Sequence, residues 1–249
     1  MKLIRLCLCI IISVFLVSCA KHKSPAAITG IEVFGDRVTG IVMNYASNPS
    51  DTYSFIYDSQ SRLQSFSGNS GDQTSYTYSA AGKMIHVDTS FGSSTNAYYS
   101  PDGKKIRTED YYQYSSYASD FTYDASGRKA SQINYSMNMS TGLYEITVTY
   151  TYQYDAGGRL IRKDETDTYG SGSDYYNIYT YNSSGKLSEK QEYSTASGAL
   201  NRVVYTYSAD GRIKQFDFYN SAGSWQGDMV FTYGAGSGNF FEIFDSIME

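Results

Sequence analysis

The stretch Tyr152-Gln153-Tyr154-Asp155-Ala156-Gly157-Gly158-Arg159-Leu160 decides the fold. Aromatic residues two positions apart place both rings on one face of a strand. Asp155 offers a short side-chain acceptor for the start of a type I turn. Gly158 supplies the left-handed backbone that ends such a turn in a G1 bulge. Arg159 and Leu160 then open a strand running back. The nine residues read as a tight β-hairpin.

The pattern recurs along the chain, and internal repetition is the strongest signal it holds. The copies begin at Tyr53, Tyr76, Tyr98, Phe121, Tyr152, Tyr179 and Tyr205, and a worn one at Phe231-Thr232-Tyr233. The turn positions are Asp58 with Ser61, Ser79 with Gly82, Ser100 with Gly103, Asp124 with Gly127, Asp155 with Gly158, Asn182 with Gly185 and Ser208 with Gly211. A basic residue follows each: Arg62, Lys83, Lys104, Arg128, Arg159, Lys186 and Arg212. From Gly82 onward the turn glycines are 21 to 31 residues apart. That variation is assigned to longer return loops such as Tyr169–Ser173 and Ser194–Gly198. The expected fold is all-β: an antiparallel meander of Tyr-rich β-hairpin repeats, about two strands per repeat, forming one large coiled or barrel-like sheet. An opening hairpin is expected from Ile31–Val33 and Gly40–Tyr45.

Composition agrees. The 249 residues include 27 Tyr, 12 Phe and 22 Gly, a set that favours pleated sheet and turns. Helical periodicity enters only at the end. Asn239 and Glu242 read as a capping box, and the spacing of Phe240, Ile243, Phe244 and Ile247 predicts one shared helical face. A short helix over 239–249 is predicted to cover an edge or end of the sheet.

The other end carries a targeting segment. Lys2 and Arg5 precede an apolar run from Leu6 to Val17, too short to span a bilayer. It ends in Leu16-Val17-Ser18-Cys19, which resembles the lipobox of bacterial lipoproteins. That resemblance implies removal of 1–18 and a diacylglyceryl group on Cys19, with 19–29 as a tether and 30–238 as the repeat domain. The implied partner is a membrane, held through Cys19, and the implied location is the cell envelope, at the outer membrane. Cys7 and Cys9 leave with the signal, so the domain has no disulfide and no cysteine chemistry.

Several function classes drop out. The net charge is −5 and no basic run stands out, which argues against nucleic acid. His86 is the sole histidine of the domain, a poor supply for a triad or a multi-histidine metal site. The carboxylate groups Glu109-Asp110 and Asp164-Glu165-Asp167 read as solubilising rather than catalytic. Asp58, Asp124 and Asp155 read as turn residues rather than calcium ligands, because Ser79, Ser100, Asn182 and Ser208 replace them elsewhere. No catalytic residue, metal or cofactor is expected, and the chain is not read as an enzyme.

The repeat resembles that of YD-repeat (Rhs-like) proteins, whose signature is Tyr-Asp-x-x-Gly-Arg-Leu. Tyr154-Asp155 through Leu160 matches it in full, and Tyr123-Asp124 through Arg128 in all but the last position. Small lipoproteins of Bacteroidota with degenerate YD-like repeats share the pattern. The resemblance covers most of residues 50–235 and implies a coiled β-sheet. No toxin-like domain or self-cleavage motif accompanies it here.

The basic position after Gly is expected to lie over neighbouring Tyr rings, and most tyrosines are expected in the core. A membrane-spanning barrel is disfavoured, because its strands need about 9–11 residues with an apolar outer face. Two functions remain. One is a non-catalytic binding module for a glycan or a protein on the Tyr-rich sheet. The other is a structural spacer or assembly subunit of an envelope complex.

Overall fold

The computed structural model describes residues 36–46, 48–168 and 174–237. Cys19, the tether, Ile31–Val33 and the predicted helix over 239–249 lie outside these residues. Sixteen strands follow in order: β1 Asp36–Tyr45, β2 Asp51–Tyr57, β3 Leu63–Gly68, β4 Gln73–Tyr78, β5 Met84–Thr89, β6 Ser94–Tyr99, β7 Lys105–Tyr112 and β8 Ser115–Tyr123. The second half is β9 Lys129–Asn138, β10 Leu143–Tyr154, β11 Leu160–Asp167, β12 Tyr175–Tyr181, β13 Leu187–Ser194, β14 Gly198–Tyr207, β15 Ile213–Tyr219 and β16 Trp225–Ser237. Every neighbour in sequence is an antiparallel neighbour in space, and β16 pairs with β1 to close a barrel. Closure removes the free sheet edges that otherwise invite aggregation.

The repeat turns all lie at one end of the barrel, here the repeat end. There Gly82 donates its N–H to the Ser79 carbonyl, and the same geometry links Gly103 to Ser100 and Gly158 to Asp155. Gly82, Gly103, Gly127, Gly158, Gly185 and Gly211 have φ between 76° and 90°. In the first copy Ser61 takes this place at φ 61°, the only described residue other than glycine with positive φ.

Two expectations change. Described return connections include turns as tight as the repeat turns: Gly71 closes on Gly68, Gly92 on Thr89 and Gly223 on Asn220, each with positive φ; the expected loop at Tyr169–Ser173 lies outside the described residues. Spacing varies mainly through strand length, from six residues in β3–β6 to twelve in β10. Second, Gly40–Tyr45 is not the arm of a separate hairpin. It belongs to β1, whose partners are β2 and β16. The reason is closure: the first strand is needed to satisfy the last.

Closure also completes the repeat. In seven copies the second aromatic residue donates its hydroxyl to the carbonyl that opens the preceding falling strand. Tyr78 reaches Leu63 at 2.7 Å, Tyr99 Met84 at 2.9 Å, Tyr123 Lys105 at 2.7 Å and Tyr154 Lys129 at 2.8 Å. Tyr181, Tyr207 and Tyr233 reach Leu160, Leu187 and Ile213. The eighth rung runs from Tyr57 to the Val38 carbonyl at 2.7 Å. The last repeat is therefore split between the chain ends: Phe231-Thr232-Tyr233 on β16 supplies its rising strand, and Arg37-Val38 on β1 its falling one.

Candidate functional site

Cross-strand partners share a face of the sheet, so the register sorts the interior into rings. Nearest the repeat end, eight tyrosines alternate with Val38, Leu63, Met84, Lys105, Lys129, Leu160, Leu187 and Ile213. The next ring pairs Phe55 with Phe66, Tyr76 with Val87, Ala97 with Thr108 and Phe121 with Gln132. It continues with Tyr152 and Lys163, Tyr179 and Lys190, Tyr205 and Phe216, and Phe231 and Ile41. In this ring four successive falling strands carry Phe216, Ile41, Phe66 and Val87, and the next four carry Thr108, Gln132, Lys163 and Lys190. The lumen thus has an apolar side and a polar side.

The apolar side is packed. Phe216 is 1% exposed and meets Tyr205 and Phe231 edge-to-face, each at 4.9 Å. Val87, Met84 and Leu63 are equally enclosed. Sixteen strands enclose more space than a single layer of side chains fills, and here large rings occupy it.

The polar side spans β7 to β13. Thr95 donates to Asp110 Oδ1 at 2.6 Å, Ser119 and Gln132 donate to Asn134 Oδ1, and Tyr152 donates to Gln132 Oε1. Asn201 Nδ2 donates to Glu192. Lys129 Nζ lies 5.4 Å from the Phe121 centroid and 5.2 Å from that of Tyr152, and Lys163 Nζ lies 4.1 Å above Tyr150. Burial lifts the Asp110 carboxyl to about 6, although the Thr95 hydrogen bond and the Lys105 charge pull it down. Burial also raises Glu165, with Lys163 and Lys190 opposing and Glu192 and Asp167 adding to it. Tyr150, Lys163, Glu165, Lys190 and Glu192 point inward yet are only half-buried, so water reaches this side. Near the far end Tyr117, also inward, is 43% exposed.

The repeat-signature residues lie away from this wall. Asp58 Oδ1 accepts from the N–H groups of Gln60 and Arg62, and its Oδ2 accepts from Arg62 Nε at 2.7 Å. Asp124 and Asp155 hold Arg128 and Arg159 likewise. Asn182 accepts from the Lys186 N–H. Hydrogen bonding to Arg holds the Asp155 carboxyl below its ordinary range. Each basic residue then covers the tyrosine of the next repeat: Arg62 over Tyr78 at 4.6 Å, Lys83 over Tyr99, Lys104 over Tyr123, Arg128 over Tyr154, Arg159 over Tyr181, Lys186 over Tyr207 and Arg212 over Tyr233. Arg37 covers Tyr57 at 4.9 Å and completes the circle. Asp suits Arg because one carboxylate serves both needs: Oδ1 takes the turn N–H groups while Oδ2 takes the guanidinium through Nε and Nη2, as in Asp58–Arg62 and Asp124–Arg128. Where Ser208 replaces Asp, Asp210 takes over and holds Arg212 at 2.5 Å.

The suggestive carboxylate groups separate. Glu109 faces outward, bound by Arg107, Tyr98 and Tyr111, while Asp110 faces inward. Asp164 likewise faces outward with Arg162, opposite to Glu165. His86 sits outside, between Asn96 and Asp88. Tyr98 also points outward, so Ala97, not an aromatic ring, fills the inner place of that copy. The residues that sequence reasoning missed are the inward Lys105, Lys129, Lys163 and Lys190, together with Arg37 and Val38. Nothing in the residue order marks these lysines; only the strand register puts them on the face of the repeat tyrosines.

In fold this barrel is similar to a porin-like protein from Bacteroides uniformis ATCC 8492, with TM-score 0.56, 11% identity and coverage of 79% of this chain and 98% of that one. A porin-like protein from Bacteroides vulgatus ATCC 8482 is comparable, with TM-score 0.55, 12% identity and coverage of 81% and 100%. The TcdB2-TccC3 complex matches at TM-score 0.27 over 15% of its own chain, which carries no argument. No family model matches the chain, and no curated protein matches it in sequence.

The outer face is charged in mid-strand. Arg107 binds Glu109 and Asp120, Arg162 binds Asp164, and Arg202 lies 3.5 Å from Glu189. A cation on the lipid face of a barrel costs about 2–4 kcal/mol at the bilayer midplane. The wall suits water on both sides. It also carries aromatic surface: Tyr176 and Tyr193 stack at 4.9 Å and 7°, with Arg162 4.1 Å above Tyr176.

Proposed function

We propose that this chain is a lipid-anchored cell-envelope protein that binds a glycan, without catalysing a reaction, in the polar side of its barrel. One observation carries the reading: among the described residues, only the inner wall from β7 to β13 combines aromatic rings, amides and half-buried charges. Binding sites of this composition orient a ligand with a few polar groups against apolar surfaces. The repeat tyrosines themselves are committed to the hydroxyl ladder, so the binding surface is moved from the repeat signature to the inner wall.

β1 starts and β16 ends at the repeat end. A lipid on Cys19 would therefore hold that end toward the outer membrane and turn the far end, with Tyr117, away from it. The reading includes kinship with YD-repeat proteins, supported by the linked Asp155–Arg159–Tyr181 arrangement and its copies.

The test is binding of the full chain in detergent to a broad glycan panel, alongside metabolic labelling with a fatty acid. Saturable binding and labelling that is lost in Cys19→Ala are expected. Absence of glycan binding would favour the spacer or assembly-subunit reading, which the inward turn of the ladder tyrosines supports.

A further inference from the structure

We propose that the ligand of the polar side is an acidic saccharide, whose carboxylate or sulfate is held by Lys105, Lys129, Lys163 and Lys190. The inference rests on the glycan-binding reading and names its substrate class. The four lysines stand on β7, β9, β11 and β13, four successive falling strands, and all face the lumen. The fold does not require cations there. At the same ring positions on the other side stand Leu63, Met84, Phe66, Val87 and Phe216, each no more than 4% exposed. Four cations on successive falling strands are therefore a property of this sector and not of the barrel as such.

The four form one surface. Phe121 lies 4.7 Å from Lys105 Nζ and 5.4 Å from Lys129 Nζ, and Tyr152 lies 5.2 Å from Lys129 and 5.9 Å from Lys163. Lys190 sits 5.9 Å from the Tyr179 centroid, and Glu165 feels both Lys163 and Lys190. Charge is sorted along the axis. The lysines occupy the two rings nearest the repeat end, while Asp110, Glu165 and Glu192 lie one ring further toward the far end.

This order fits an acidic sugar in one orientation. A cation over an exposed ring gains less than a charge-assisted hydrogen bond to an anion contributes. An arriving carboxylate or sulfate therefore draws the ammonium groups off Phe121, Tyr150 and Tyr152 and frees the ring faces. Those faces then stack on the apolar side of the sugar ring. The carboxylates and the Asn134 and Asn177 amides nearer the far end accept and donate hydrogen bonds to its hydroxyls.

Calorimetry of the full chain in detergent at physiological salt tests this with polygalacturonate, chondroitin sulfate and neutral dextran. Binding to polygalacturonate, chondroitin sulfate or both, with none to dextran, is expected, and the pair separates carboxylate from sulfate recognition. Lys129→Gln and Lys163→Gln should each weaken binding at least tenfold with the melting temperature kept. Lys214→Gln, on the exposed start of β15, should leave it unchanged. Equal loss in Lys214→Gln, or no loss in the lumen variants, would mean surface charge alone and overturn the proposal. Binding to dextran alone would overturn it while keeping the glycan reading, and binding to none of the three with no hit on the panel would remove both.

Discussion

The two sides of the lumen share one backbone and one repeat, yet they are built differently. From β14 through β16 and on to β5, the falling strands send Phe216, Ile41, Phe66 and Val87 inward against aromatic partners. From β7 to β13 the same positions hold Thr108, Gln132, Lys163 and Lys190. The tyrosine ladder and its cations run through both without change. The repeat turns and the ladder therefore make a uniform frame, and the interior residues one ring deeper decide whether a sector is packed or wet. In this second ring the enclosed apolar side chains of the falling strands are concentrated in one sector.

The largest test of that contrast is truncation on each side. Phe216→Ala should cost about 3–5 kcal/mol, as for other enclosed aromatic residues. Gln132→Ala should cost less, about 1–2 kcal/mol, the loss of its bonds to Tyr152 and Asn134. Urea denaturation of both variants checks this. Equal losses would dissolve the distinction between the two sides.

A smaller effect follows from Asp110. Its folded value of about 6 stands above its ordinary 3.8, so between these values the folded state keeps a proton that the unfolded state releases. Stability then falls as pH rises from about 4 to about 6 and stays lower above that. Asp110→Asn keeps an oxygen for the Thr95 hydroxyl and removes this dependence. It should stabilise the protein by about 3 kcal/mol at pH 7.5 and leave it unchanged at pH 4, read from melting curves. A variant that melts like the parent at both values would show Asp110 to be well hydrated.

The smallest effect tests whether the frame is uniform. Ser61 holds a left-handed conformation at a cost of about 1 kcal/mol. Ser61→Gly on the apolar side should gain that amount, and Gly158→Ser on the polar side should lose it. Unequal magnitudes in calorimetric unfolding would show that the turns also differ between the sides.

Much of the frame was legible in residue order. Tyr-x-Tyr, a short polar residue, Gly and a basic residue specify a hairpin locally, since each turn closes within five residues, and eight copies specify a meander. Ala97 shows the limit of that reading. Tyr98-Tyr99 looks like the aromatic pair, but the alternation of the strand sends Tyr98 outward. The inner wall was not legible, because the inward lysines are ordinary charged residues until the register is known, and Glu109-Asp110 looks like a pair until the strand puts its members on opposite faces.

The sequence by itself determined the all-β meander and the tight repeat turns, because these depend on contacts a few residues apart. Only the tertiary structure decided that the sheet closes, that Arg37 and Val38 complete the repeat begun at Phe231, and that the lumen has a packed side and a wet side. Those outcomes depend on which strands meet across nearly two hundred residues of chain, and no local pattern records that distance.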